Sequence, residues 1–399
     1  MKPVVTLFLC AVLLLVTTGC WNRRELNELA IVVALGIDKA GTQYKVSVQV
    51  VDPTQIAEQK GAGANRAPVT MYTATGKTVI EALRKMTTIS PRKMYLSHMR
   101  ILVFGEALAR DGIAKTLDLV SRGRELRTDF FIVVSKGSTA EDVLKILTSI
   151  EKIPANHLYA SLETAQNQWA PETTVTLDEL LNDLMRQGKH PVLSAVEIKG
   201  NQEIGQSVNN LQTISIPTKL AYAGLAVFKK DRLIGWLNEN ESKGYNYIQN
   251  KVRSTIGLVS CPKGGEISME VFNTKTDVKG KLVDGKPQID VLIRMELNVA
   301  EVQCKIDLTK QETFVQLENN SKKRLRNIIQ MSLDKVQKTY KVDIYGFGEA
   351  IHRSEPKAWA RLKKNWDEQF ADLPVNMKLD IKIRRMGTII NSIIEKTKE

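Results

Sequence analysis

The chain has 399 residues, of which 43% are hydrophobic and 25% charged, with a formal net charge of +13. This composition is ordinarily globular, excludes a low-complexity chain, and at this length allows two or three domains with a substantial core. Four cysteines are too few for a disulfide framework in so long a chain.

The N-terminus reads Met1-Lys2-Pro3, an apolar run over 4–16, then Thr17-Thr18-Gly19-Cys20. A cationic start, an apolar run shorter than the roughly 20 residues of a spanning helix, and a small-residue exit describe a cleaved secretory leader. A small residue just before a cysteine is how a bacterial lipoprotein is cut, because the thiol takes a diacylglyceryl group before cleavage. Two acyl chains then anchor stably where one binds only marginally. Residues 1–19 are therefore the expected signal peptide and Cys20 the expected lipid attachment residue, with Thr17 at a position where Leu is usual. No later window is long and apolar enough to cross a bilayer, so the mature chain is expected to lie on one side of the membrane.

An apolar run over 31–35 and an alternating one over 44–51 predict paired strands across a 38–42 turn. Glycine, alanine, asparagine and proline over 61–68 mark a loop. Strands are then predicted at 69–75, 100–104, 129–135 and 192–198, and helices at 77–87, 113–120, 140–147, 156–169 and 177–186. This alternation suggests an α/β layer with partly parallel pairing. The polar, glycine-containing stretch 200–213 is the best boundary in the chain. Beyond it come a hairpin-like pair at 220–228 and 233–236, strands at 253–261, 266–273 and 288–302, an amphipathic helix over 321–340, a helix over 357–370 and a strand over 377–384. The expected fold class is α+β, in two to three mixed sheet and helix domains: 20–200, a linker at 201–213, and 214–399 with a candidate split near Gly264-Gly265.

Signals for chemistry are weak. Gly76-Lys77-Thr78 follows a strand and opens a helix like the end of a phosphate loop, but the glycine required five residues earlier is Met71. Gly346-Phe347-Gly348 lacks the third glycine of a dinucleotide loop. His98, His157, His190 and His352 are far apart, and no zinc site, cofactor or metal is expected. No nucleophile elbow, Ser-x-x-Lys or His-Glu-x-x-His occurs, so no catalytic residues are assigned. Cys261 and Cys304 remain in the mature chain as either one bridge or two buried thiols. The basic clusters at 322–326, 361–364 and 384–385 read as solvated faces, and no aromatic-basic motif supports nucleic-acid binding. Trp359, Leu362, Trp366 and Phe370 share one helix face, which reads as core before it reads as a docking face.

Four segments stand out together: Gly19-Cys20-Trp21-Asn22-Arg23-Arg24-Glu25-Leu26 with Gly36-Ile37-Asp38; Ser97-His98-Met99-Arg100 running on through Gly105 to Ile113; Ala223-Gly224-Leu225 through Gly235-Trp236-Leu237; and Asp343 to Glu349 with His352-Arg353, Trp359 and Trp366. In this order they resemble the Ger(x)C spore germination lipoproteins. The resemblance implies a C subunit of a nutrient germinant receptor, lipid-anchored on the outer face of the spore inner membrane. Its implied partners are a receptor A subunit, a multi-pass B subunit and the membrane lipids. It implies a subunit without catalysis, germinant recognition falling chiefly to the B subunit; no nucleic-acid partner is expected, and no small-molecule ligand is assigned. The alternative is an extracytoplasmic solute-binding lipoprotein of an uptake system, which requires two similar lobes around a cleft.

Overall fold

The computed structural model describes residues 3–6, 26–52, 67–123, 126–261 and 264–385; Cys20 and most of the 61–68 loop lie outside them. The first sheet has nine strands: β1 (Leu29–Ala40), β2 (Gln43–Val51), β3 (Val69–Gly76), β4 (Lys93–Tyr95), β5 (Ile101–Phe104), β6 (Phe131–Ser135), β7 (Val192–Lys199), β8 (Lys219–Lys229) and β9 (Arg232–Leu237). Their order is β3-β2-β1-β5-β6-β7-β8-β9, with β4 beside the start of β1. β1, β5, β6 and β7 run parallel, and the strands flanking them pair antiparallel. Every residue of β5 and β6 is buried, which is what continuous apolar runs give when both faces of a parallel sheet are covered.

Helices supply that cover: α1 (Val79–Lys85), α2 (Glu106–Asp111), α3 (Ala114–Arg122), α4 (Ala140–Lys145), α5 (Pro154–Gln168) and α6 (Leu177–Met185). The two-residue period of β5 sorts its side chains: Leu102 and Phe104 join the core under α1 to α3, while Ile101 and Val103 join the core under α4 and α5. The 201–213 segment holds a short helix, α7 (Gln202–Gly205), and is pinned by buried Asn210. The Asn210 amide donates to the carbonyls of Leu147 (2.9 Å) and Thr218 (3.0 Å) and accepts the Thr218 N–H. β8 and β9, which follow this segment, extend the first sheet rather than opening the second.

The second sheet, β10 (Thr255–Ser260), β11 (Glu266–Val283), β12 (Lys286–Val302) and β13 (Val375–Arg385), is mixed, with β12 and β13 parallel. Gly264-Gly265 falls at the turn joining β10 to β11, two paired strands of this one sheet. A disulfide joins Cys261 to Cys304, with their Cα atoms 6.4 Å apart. Ile289, Val291, Ile293, Met295 and Leu297 of β12 point into a core covered by α8 (Glu239–Ile248) and α9 (Gln311–Asp334). The opposite face is open and carries charge pairs such as Arg294–Asp277 (2.9 Å) and Arg384–Glu296 (2.7 Å). α9 runs on through a π turn at Lys335–Tyr340, and α10 (Phe347–Ser354), α11 (Pro356–Leu362) and α12 (Trp366–Ala371) follow. Leu225, Val227 and Leu237 of the first sheet belong to the same core as the second, so the halves are fused along one apolar seam. The sheets differ in strand number and order, unlike the matched lobes of a solute-binding protein.

Glu172 lies near this seam at 4% exposure, accepting the Gly224 N–H, with Oε2 lacking a hydrogen-bond partner. Lys243 pairs with Glu239 at 3.2 Å and stacks 3.4 Å over the Trp169 ring. Burial pushes the Glu172 carboxyl up to about 7. A carboxyl raised on folding favours the folded state fully in acid, and that contribution is lost as pH rises from the ordinary carboxylate range through about 7. From pH 5 to pH 8 the native chain should therefore lose about 2–3 kcal/mol relative to Glu172→Gln. Denaturant titrations of the two proteins at both pH values check this, and a constant gap between them would reject it.

Candidate functional site

The sequence signals that mimic cofactor sites serve the fold instead. Thr78 caps α1, its Oγ1 accepting the Glu81 N–H (3.2 Å) while Glu81 accepts the Lys77 N–H (2.8 Å), so Gly76-Lys77-Thr78 is a capping turn. Among the described residues no group of histidine, cysteine and carboxylate side chains is arranged to hold a metal. Trp359, Trp366 and Phe370 are buried at 3%, 4% and 0% exposure, with the two indoles edge to face at 5.2 Å. The 357–370 helix is interrupted by a 3-10 turn at Lys363–Asn365, which turns Trp366 back toward Trp359.

Asp343 holds this region together. Its carboxylate is fully buried and accepts the N–H groups of Tyr345 (3.0 Å), Gly346 (2.8 Å) and Gly348 (2.8 Å) together with the Trp366 indole N–H (2.9 Å). All four lone-pair directions are thus used, the arrangement in which an acid tolerates burial. Gly346 has φ +76°, which the turn requires, and a Cβ on Gly348 would stand 2.7 Å from the Trp359 ring. Gly188, from the first half, touches the same ring, and the His190 N–H donates to the Asp343 carbonyl (2.7 Å). The loop between α6 and β7 is thereby docked on the second half.

Above this junction lies a groove of about 930 Å³ lined by residues 184–190, the 229–231 turn between β8 and β9, and residues 363–368. At its centre the Lys230 backbone N–H donates to His190 Nδ1 (3.0 Å), so the ring proton sits on Nε2 and faces Asp367 Oδ1 at 3.4 Å. Lys229 Nζ reaches Asp367 Oδ2 at 2.9 Å. The His190 hydrogen bond, with Lys229 beside it, holds the Asp367 carboxyl down to about 2. Both ring nitrogens of His190 are committed, which leaves none to activate a nucleophile.

Six cationic side chains line the groove, Arg186, Lys189, Lys229, Lys230, Lys363 and Lys364, against three carboxylates. Lys189 is paired with Asp183 (2.9 Å) and Arg186 with Glu349 (3.3 Å), whereas Lys230, Lys363 and Lys364 have no ion pair among the described residues. The chemistry on offer is attraction of a negatively charged surface. Neither His190 nor Asp367 is marked by local sequence, being 177 positions apart.

Residues 22–198 match the family model for the spore germination protein N-terminal domain, and residues 223–387 match that for the spore germination B3/GerAC like, C-terminal region. Spore germination protein KC of Bacillus subtilis (strain 168) is 32% identical over 98% of this chain and 98% of its own length. Spore germination protein B3 of the same organism is 24% identical, covering 94% of this chain and 96% of its own. The crystal structure of the GerBC protein superimposes with a TM-score of 0.53 at 20% identity, covering 88% of this chain and 97% of that one, and so shares the fold. The two family models in tandem and a full-length relative at this identity settle kinship, and the chain belongs to the GerAC-like family of spore germination proteins.

Proposed function

We propose that this spore germination protein is the C subunit of a nutrient germinant receptor, held by lipid at Cys20 on the extracytoplasmic face of the spore inner membrane. It acts there by assembling with the A and B membrane subunits rather than by catalysis. The observation that carries the non-catalytic reading is the groove between the halves, where three lysines without an ion pair among the described residues surround a histidine with no free ring nitrogen. Such a surface attracts an acidic segment and turns over nothing. The 20–200 and 214–399 units are proposed to act as one body, since a shared core and the Asp343 turn join them.

Deleting the gene from a strain without redundant receptors should abolish the response of spores to nutrient while leaving germination by calcium dipicolinate intact. Loss of refractility and release of dipicolinate report both responses. A normal nutrient response in that strain would reject the assignment.

A further inference from the structure

We propose that one edge of the first sheet, the foot at which β1 and β4 begin, rests on an anionic phospholipid surface. This rests on the reading of Cys20 as the lipid anchor and adds to it an orientation and a second contact. Lys93 of β4 stands opposite Leu29 at the start of β1, whereas β5 and β6 begin level with Ala34, five residues further along; the connection into β6 still reaches this end, where its Leu126 lines a cleft with Lys93 and Met94.

Five residues, 21–25, separate the anchor Cys20 from Leu26, and the six Cα-to-Cα steps span at most about 20 Å of chain. β1 itself has 12 residues and spans about 40 Å, so a tether of that length brings the foot to the membrane and keeps the opposite edge away. The foot has the chemistry of an interfacial surface. A cleft of about 240 Å³ opens there between α1 and α3, lined by Leu83, Met94, Leu96, Leu119 and Leu126. Ile89 beside it is 60% exposed, a large apolar side chain left in water by the fold. Exposed Arg84 lines this cleft, and exposed Arg92 and Arg122 adjoin its lining residues Lys93 and Gly123 in sequence, while Arg100 and Arg127, also exposed, line a separate pocket with Ile31 and Val33 near the start of β1. Arg122 and Arg127 are paired with Asp118 (2.9 Å) and Asp129 (2.8 Å), but Arg84 and Arg92 have no ion pair among the described residues. An apolar cleft flanked by the unpaired guanidinium groups of Arg84 and Arg92 matches the acyl boundary and phosphates of an anionic leaflet.

The test uses the full acylated chain reconstituted in vesicles, carrying an environment-sensitive fluorophore on Ile89→Cys or, as a control on α9, on Lys323→Cys. With phosphatidylglycerol and a spin-labelled lipid present, emission from position 89 should fall at least twofold and emission from position 323 should not change. Adding Arg84→Glu and Arg92→Glu should remove the quenching while the chain stays vesicle-bound through its acyl chains. A bound chain unquenched at position 89, or quenched equally in pure phosphatidylcholine, overturns the docking edge and leaves the anchor standing. Shielding of position 89 only when membrane partner subunits are present overturns it in favour of a protein contact. Failure of the acylated chain to bind vesicles at all overturns the anchor, and the docking edge with it.

Discussion

Asp343→Ala is expected to destabilise the second half of the protein by about 3–5 kcal/mol, the cost of stranding buried donors when one partner of a charged network is removed. The substitution leaves the N–H groups of Tyr345, Gly346 and Gly348 and the Trp366 indole N–H with no acceptor in a site that is fully buried. Each unsatisfied donor costs about 1–3 kcal/mol, and partial relaxation toward water keeps the total below the simple sum. Asp343→Asn retains one acceptor oxygen but aims its amide hydrogens at two of the donors, so it should be destabilising to a smaller degree. Trp359 and Trp366 sit in the affected region and report unfolding by fluorescence. In denaturant titrations the transition seen by this emission should shift to lower denaturant, and a loss under about 1 kcal/mol would show that the turn is held by its apolar contacts instead. The groove should loosen as well, because the loop carrying His190 is fastened to the Asp343 carbonyl.

What the sequence disclosed divides along physical lines. The central strands were legible because both faces are buried, so that runs such as Ile101-Leu102-Val103-Phe104 are apolar throughout. The helix Glu239–Ile248 was not, since Gly244 and its polar neighbours blur the period. That glycine is there because a Cβ would stand 2.6 Å from the Ile328 carbonyl of α9. The capping box formed by Asn238 and Glu241 was the available signal. The β11–β12 hairpin extends well past the predicted strands because one face is solvated and charged; Asp284-Gly285, with φ +49° and +76°, was the available signal for its turn. α9 begins ten residues before the predicted start, where Leu317 continues its buried stripe through otherwise polar sequence. The groove was invisible, because His190, Lys229 and Asp367 meet only through the fold. The Cys261–Cys304 pairing was open for the same reason. Cys20 is the opposite case, a chemical signal written wholly in adjacent residues, and it lies outside the described part of the fold.

Cys20→Ala should release the protein from the membrane and impair the nutrient response. At about 0.8 kcal/mol per buried CH₂, two acyl chains hold a protein on a bilayer for as long as the experiment lasts, whereas one binds reversibly and none leaves only surface forces. In cells lacking the A and B subunits, the native chain should fractionate almost wholly with membranes and the alanine variant almost wholly without them. The partners must be absent because a receptor complex would retain an unacylated subunit by contact alone. Residual membrane binding of the variant has its own signature: attraction between the basic foot and anionic lipid is screened over about 8 Å at physiological ionic strength, so salt should strip it, whereas acyl insertion withstands the same wash. An alanine variant that remains salt-resistant in the membrane fraction without its partners would mean that the thiol is not the anchor. A variant that leaves in salt alone would instead separate the two contacts, with Cys20 giving permanence and the arginines of the foot giving orientation.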